Sequence, residues 1–331
     1  MLVTPDRAAD TLRHMPAGLQ APSLHPSYLL ADAQRDPDLS PCFFVHEEGG
    51  ESYYHAFHTA SVPDTDFIDV QSAYGYGGPV ASTTDREFLH ASSGAWRAWC
   101  RESGVLVEFI RFHPLLENWH FFAGDVLDDR ATVWVDLAAP DLMAQYATRV
   151  RTTIRKAMKI GLRVEWWGAA EFLAVFPSLY ADTMRMIGAD EGYFFPSAYF
   201  ERLLARDSPW LAVCSNDRQV LAGAIFLHSA EMVEYHLSAA NSEGKLNGAT
   251  NLILHEAALR GQQAGKRRLH LGGGSNAAPD NPLLFFKAGF SSQRANFRIG
   301  RQIHEPQAYA ALKAEREHTL GRRTGRILFY R

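Results

Sequence analysis

One order of elements occurs twice in this chain of 331 residues. In the first half, Cys42-Phe43-Phe44-Val45-His46 and Ser52 to His58 flank the turn Glu48-Gly49-Gly50, which predicts a β-hairpin. An apolar strand, Asp66 to Val70, leads into the glycine-aromatic loop Ser72-Ala73-Tyr74-Gly75-Tyr76-Gly77-Gly78-Pro79. Thr84-Asp85-Arg86-Glu87 then reads as a capping box, opening a helix with Phe88, Leu89, Ala95, Trp96, Trp99 and Cys100 at helical spacing. Gly104 stops it, and Val105 to Phe112 reads as a strand. In the second half, Trp210 to Cys214 and Val220 to His228 form a hairpin around Asn216-Asp217, and Met232 to Ala239 is the next strand. A glycine loop, Asn241 to Gly248, precedes a helix from about Thr250 to Gln263, and Arg268-Leu269-His270-Leu271 is a strand running into Gly272-Gly273-Gly274. Hairpin, strand, glycine loop, helix, strand, written twice, constrains the chain to a mixed α/β fold of two similar units. The halves share no alignable residues, so the duplication lies in the order of elements alone.

Between the halves a helix is expected from about Asp141 to Ile160, with Leu142, Met143, Tyr146, Val150, Ile154 and Met158 on one face. Ala138-Ala139-Pro140 before it marks the domain boundary. Two further helical stretches are expected, split at Pro177 and again near Gly188 to Pro196, and the first forty residues read as loop-rich. The composition, 47% hydrophobic and 21% charged, is that of a chain with enough apolar surface to fold. A net charge of -4 argues against a whole-surface nucleic-acid binder but leaves room for a local basic patch. The N-terminus lacks the apolar run of a signal peptide, and no stretch is long and apolar enough to span a bilayer. Cys42, Cys100 and Cys214 are far apart, with no paired spacing for zinc or disulfides. These features fit a cytoplasmic enzyme with no metal and no tightly bound cofactor.

Two segments carry candidate chemistry. Lys245-Leu246-Asn247-Gly248-Ala249-Thr250, between strand and helix, is placed to hold a pyrophosphate on loop and helix-start amides; an ordinary connecting loop is the alternative. Downstream, Lys287 stands beside Phe285, Phe286 and Phe290 in what reads as a strand-end loop. A partly desolvated lysine there can stabilise a developing oxyanion; alternatively the aromatics are core and the lysine reaches past them to solvent. Tyr74 and Tyr76, between glycines, are placed either to touch a ligand or to plug the sheet. Arg185 suits a phosphate or carboxylate, or is an exposed helix arginine. The helix bearing Arg149, Arg151, Arg155, Lys156 and Lys159 is either a solvated face or a phosphate-contact surface. The sequence has no GxSxG elbow, Walker loop, HExxH or strand-following GxGxxG.

Leu269-His270-Leu271-Gly272-Gly273-Gly274 followed by Leu283-Leu284-Phe285-Phe286-Lys287-Ala288-Gly289-Phe290 resembles the C-terminal motif of the Fem family of non-ribosomal peptidyltransferases. The Ser72 to Pro79 loop, Arg111-Phe112-His113-Pro114-Leu115, Arg151 to Ala157, Thr183-Met184-Arg185 and Tyr235-His236-Leu237-Ser238 resemble the same family in the same order. The resemblance implies two tandem acetyltransferase-like (GNAT) domains sharing a cleft, as in compact members without the helical arm. The first would be 1–138, with about 300–331 packing back on it; the second, 139–299, would carry the transfer site. It implies Phe286 and Lys287 in catalysis, Phe286 stacking on the terminal adenine of a tRNA. Substrate contacts would come from Tyr74, Tyr76, Arg111, Arg185, Tyr193, Tyr235, Gly272, Gly273 and Gly274. Donor phosphates would meet Lys245, Gly248, Arg151, Arg155 and Lys156. The implied donor is aminoacyl-tRNA. The implied acceptor is an amine of a UDP-linked or lipid-linked peptidoglycan precursor, or of another small peptide or amino-sugar. Two alternatives stay open: an acyltransferase using acetyl-CoA, and a non-catalytic scaffold that binds nucleotide-sugars or a partner.

Overall fold

Gly49 and Gly50, at φ 61° and 88°, form the double left-handed turn whose twist suits a two-residue hairpin. The ladder then runs from Glu48↔Glu51 out to Ser40↔Thr59. In this computed structural model, which describes residues 1–205, 209–278 and 280–331, the elements follow in chain order. They are α1 (Pro5–His14), α2 (Pro26–Asp32), β1 (Ser40–Glu48), β2 (Glu51–Ser61), β3 (Ile68–Gln71), β4 (Val80–Ala81), α3 (Arg86–Glu102), β5 (Val105–Arg111) and β6 (Asp125–Asp136). Next come α4 (Thr148–Lys159), β7 (Arg163–Trp166), α5 (Ala169–Met186), α6 (Ser197–Leu204), β8 (Trp210–Ser215), β9 (Val220–His228) and β10 (Met232–Ala240). The last are α7 (Ser242–Asn247), α8 (Ala249–Gln263), β11 (Arg268–Gly273), α9 (Pro282–Ala288), β12 (Arg294–Ile303) and α10 (Pro306–Leu320).

The chain divides into two units, residues 1–129 with 297–331, and residues 130–296. The divisions fall inside β6 and β12. Residues 132–136 of β6 pair with β11, which assigns that end of the strand to the second unit.

In the first unit β2 pairs antiparallel with β1 and β3, β3 runs parallel to β5, and β12 closes antiparallel on β5. A parallel pair needs a crossover, and α3 supplies it. Asp85 caps that helix by accepting from Phe88 N at 2.9 Å. Trp96 on its inner face packs at 5.1 Å from Phe44, 5.0 Å from Phe57 and 4.9 Å from Trp99.

The second unit repeats the pairing. β9 is antiparallel to β8 and β10, β10 is parallel to β11, and α7 with α8 makes the crossover. The repeated order of elements is therefore a repeated pairing pattern. Helix α8 buries Leu252, Ile253, Leu254, Ala257 and Ala258, covering more than one stripe, as in a helix enclosed by its neighbours.

The structure corrects several expectations. The supposed glycine loop 241–248 contains α7, because Asn241 caps it by accepting from Gly244 N at 2.8 Å. The helix expected over 141–160 starts only at Thr148. Tyr146 is extended, and the Ala147 amide leaves the helical path to donate to Gly289 O at 2.8 Å. Helix α5 runs through Pro177; buried Phe172, Phe176 and Tyr180 hold both sides of the proline onto the core, outweighing its lost hydrogen bond. The first forty residues hold α1 and α2, both with Pro at the first helical position. Strands β6 and β7 were not anticipated. Lys287 stands on helix α9, not in a strand-end loop.

Candidate active site

Strand β11 ends in three glycines with distinct demands. Gly272 adopts φ +78°, at the irregularity where β11 slips against β6 between His270 and Gly272. A Cβ on Gly274 would lie 2.6 Å from Asn281 Oδ1. The strand therefore turns tightly onto Asn281, which opens α9 by accepting from Leu283 N and Leu284 N at 3.0 and 3.1 Å. Pro282 occupies the next position, where a missing N–H costs nothing.

Helix α9 carries Lys287 back over this turn. Its Nζ donates to Gly273 O at 2.8 Å and lies 6.0 Å from the Tyr235 ring centroid. The residue is 8% exposed, with no carboxylate among the described residues bonded to the amine. Burial therefore lowers its pKa from 10.5 to about 7. Tyr235 lies at the irregularity of β10, between positions 235 and 237, and its hydroxyl donates to Ser238. Burial pushes that hydroxyl up to about 12, partly offset by the Ser238 bond. On the same strand His236 Nε2 stands 2.6 Å from Tyr199 Oη.

The three phenylalanines differ. Phe290 is 1% exposed, edge-on to Tyr146 at 5.3 Å and to Phe286 at 5.6 Å. Phe286 is half-buried. Phe285 is 64% exposed, with the Arg149 guanidinium 3.9 Å over its ring and donating to its carbonyl at 2.5 Å. Lys287, Gly273 and Tyr235 are thus brought together, while Phe286 packs on Phe290. The alternative in which the lysine merely reaches solvent does not hold, because its amine is buried on a carbonyl.

The remaining candidates stand on other elements. Tyr74, Tyr76 and Arg111 belong to the first unit. There Arg111 O accepts from Gly77 N at 2.7 Å, and Tyr76 packs at 5.1 Å from His113 and 5.7 Å from Phe297. Asn118 fixes this loop, donating to Gly77 O and Pro79 O at 2.9 and 3.0 Å. Arg185 is exposed and paired with Asp182 at 2.5 Å, and Tyr193 ends an exposed turn, Glu191–Tyr193. Arg151 donates to Tyr146 O and Thr148 Oγ1, bracing the turn that leads into α4, while Arg155 and Lys156 are exposed. Lys245 approaches Met186 Sδ at 3.3 Å. Gly248 is left-handed at φ +74°, and a Cβ there would be 2.3 Å from Thr153. The amides of Gly244, Lys245 and Gly248 are all bonded within the α7 turn.

Asn281 and Ser238 join the candidate site without having been singled out as site residues, and Arg149, read as part of a phosphate-contact surface, instead holds the Phe285 carbonyl. Asn281-Pro282 is a helix-start signal, overlooked because the segment read as a loop.

Among the described residues, Cys100, Glu108 and His304 in the first unit present donor atoms within 4.8 Å of one another. Glu108 Oε1 accepts from Trp96 Nε1 at 2.9 Å and lies 2.6 Å from His304 Nε2. Two donors on one tetrahedral zinc would stand roughly 3.3 Å apart given metal–ligand distances near 2 Å, so the trio fits a hydrogen-bonded network rather than a metal centre.

Residues 144–279 match the acetyltransferase (GNAT) domain family. The second unit carries a GNAT domain. No curated protein matches the chain significantly. Among solved structures, FemX is similar with a TM-score of 0.72 at 14% identity, covering 94% of this chain and 99% of that one. L-PGS from Bacillus licheniformis gives 0.61 at 14% identity over 97% and 98%. A tandem GNAT protein from the clavulanic acid biosynthesis pathway gives 0.50 at 13% identity over 92% and 98%. At such identities the likeness is one of fold, and it extends the GNAT architecture to a tandem arrangement over nearly the whole chain. No described helix is long and apolar enough to cross a membrane.

Proposed function

We propose that this protein forms amide bonds, transferring an aminoacyl group from aminoacyl-tRNA to the amine of a peptidoglycan precursor or another small peptide or amino-sugar. The supporting observation is Lys287, a buried amine held 2.8 Å from the Gly273 carbonyl at the end of β11. Attack of the acceptor amine on the ester carbonyl makes the C–N bond and places negative charge on the carbonyl oxygen. A fixed cation in a water-poor site stabilises that charge. As the ester C–O bond breaks, the departing ribose oxygen takes a proton from the Lys287 ammonium, and the proton released by the acceptor nitrogen restores it. An amine titrating near 7 is matched to such a proton exchange. Tyr235 faces the amine, and exposed Arg155 and Lys156 offer phosphate contacts.

The second reading is transfer from acetyl-CoA, favoured by the acetyltransferase description of the matching family. Weighing against it, the amides at Gly244, Lys245 and Gly248 are bonded inside α7 rather than open to a pyrophosphate. Incubation with candidate amines and either charged tRNA or acetyl-CoA, followed by mass measurement of the product, separates the readings. Turnover with charged tRNA that falls steeply with salt is expected; salt-insensitive turnover with acetyl-CoA alone would refute the first reading.

A further inference from the structure

We infer that Asn281 is a positioning residue for Lys287, its carboxamide tying the glycine turn that holds the amine to the helix that carries it. The inference rests on the reading of Lys287 given above. A helix cap needs only the side-chain oxygen, and Asn281 Oδ1 meets that need through Leu283 N and Leu284 N. The other end of the same group is surplus to capping. Asn281 Nδ2 donates to Ser275 Oγ at 2.8 Å and to Asn276 Oδ1 at 3.0 Å. With two donors and two acceptor sites in use, the carboxamide is saturated, and the residue is 3% exposed.

The circuit closes on the lysine. Gly273 O receives Lys287 Nζ, Gly274 lies against Asn281 closely enough to exclude a Cβ, and Asn281 starts α9. That helix has 7 residues, too short to hold an orientation by itself. Its far end is clasped by Arg149 through the Phe285 carbonyl. A lysine has a flexible four-carbon stem, so the direction of its amine is set by where helix and turn are fixed relative to each other. Asn281 fixes that relation.

Asn281→Ser keeps an uncharged cap acceptor and removes both Nδ2 bonds; Asn281→Ala removes cap and tether together. The readouts are kcat, KM, melting temperature and the titration of Lys287. The last is followed by NMR of protein labelled at lysine Cε, with the resonance assigned through Lys287→Met. For Asn281→Ser we expect kcat about 10–100-fold lower with KM little changed, as for slight misplacement of a reacting group. The Lys287 midpoint should rise toward the ordinary lysine range, with melting close to wild type. A purely capping role predicts wild-type kcat and an unmoved midpoint in Asn281→Ser, with damage confined to Asn281→Ala, and that result overturns the inference. Full activity in Lys287→Met would refute the catalytic reading, while the titration in Asn281→Ser still reports whether Asn281 holds the amine.

Discussion

Replacing Lys287 by Met keeps the length of the side chain and removes its charge, and the consequence for stability depends on pH. The amine titrates near 7 in the folded protein against an ordinary 10.5. Below about 7 both folded and unfolded states hold the proton, and the folded state bears the full cost of a buried charge. Between about 7 and 10.5 only the unfolded state holds it, so wild-type stability rises with pH by about 1.4 kcal/mol per pH unit. Over a window of about 3.5 pH units the gain is on the order of 5 kcal/mol. The Met variant lacks this dependence but leaves the Gly273 carbonyl unpaired, a pH-independent cost of about 1–3 kcal/mol. The variant should therefore be more stable than wild type below pH 7, by about 2–4 kcal/mol on these figures. It should be less stable above pH 10. Urea unfolding of both proteins from pH 6 to 10.5 gives the difference directly. Assayed in parallel, the variant's kcat should fall by about 100–1,000-fold, as on loss of an oxyanion donor. A constant offset between the two stability curves would refute the claim that the amine is buried with a depressed pKa.

Phe290→Ala should cost about 3–5 kcal/mol in urea unfolding, because the ring is enclosed; Phe286→Ala should cost less stability yet reduce kcat. Charge reversal at Arg155 and Lys156 should raise KM for charged tRNA and flatten its salt dependence, with melting unchanged; an unaltered salt slope would remove this face from the donor site. Arg151 is left in place because it is bonded to Tyr146 O and Thr148 Oγ1 at the start of α4. Gly274→Ala should lower kcat and raise the Lys287 midpoint, since the new methyl collides with Asn281; a wild-type titration curve there would mean the turn tolerates displacement.

The hairpins and their partner strands were legible because period-2 apolar runs bounded by Gly and Asn leave few options, and α3 and α8 because their apolar residues recur at helical spacing, whereas α7 was hidden in a segment that reads as a glycine loop. The FemX-like tandem fold followed from motif order. What stayed hidden depended on contacts distant in sequence. Pro177 reads as a break, but the aromatic residues before and after it are anchored in one core. Ala147 reads as helical, yet its amide is claimed by Gly289. Lys287 stood out as a candidate beside three phenylalanines, but not its burial, which depends on α9 folding back over the β11 turn. The roles of Phe285 and Phe286 were likewise unreadable, since adjacent helix positions face different ways and only packing decides which is covered.

The two units also differ in what their synthesis demands. Residues 130–296 leave the ribosome in one run and contain every strand that their sheet pairing uses from β7 to β11, with the paired end of β6. The first unit is interrupted. Its β5 edge pairs with β12, Ile299 against Arg111, and β12 appears only after the entire second unit has been made. Until then an apolar strand edge stands open, the kind of edge that recruits other chains. Translation speed through residues 130–296 therefore sets how long the first unit waits, and chaperone dependence is expected to track that interval rather than the stability of either finished unit.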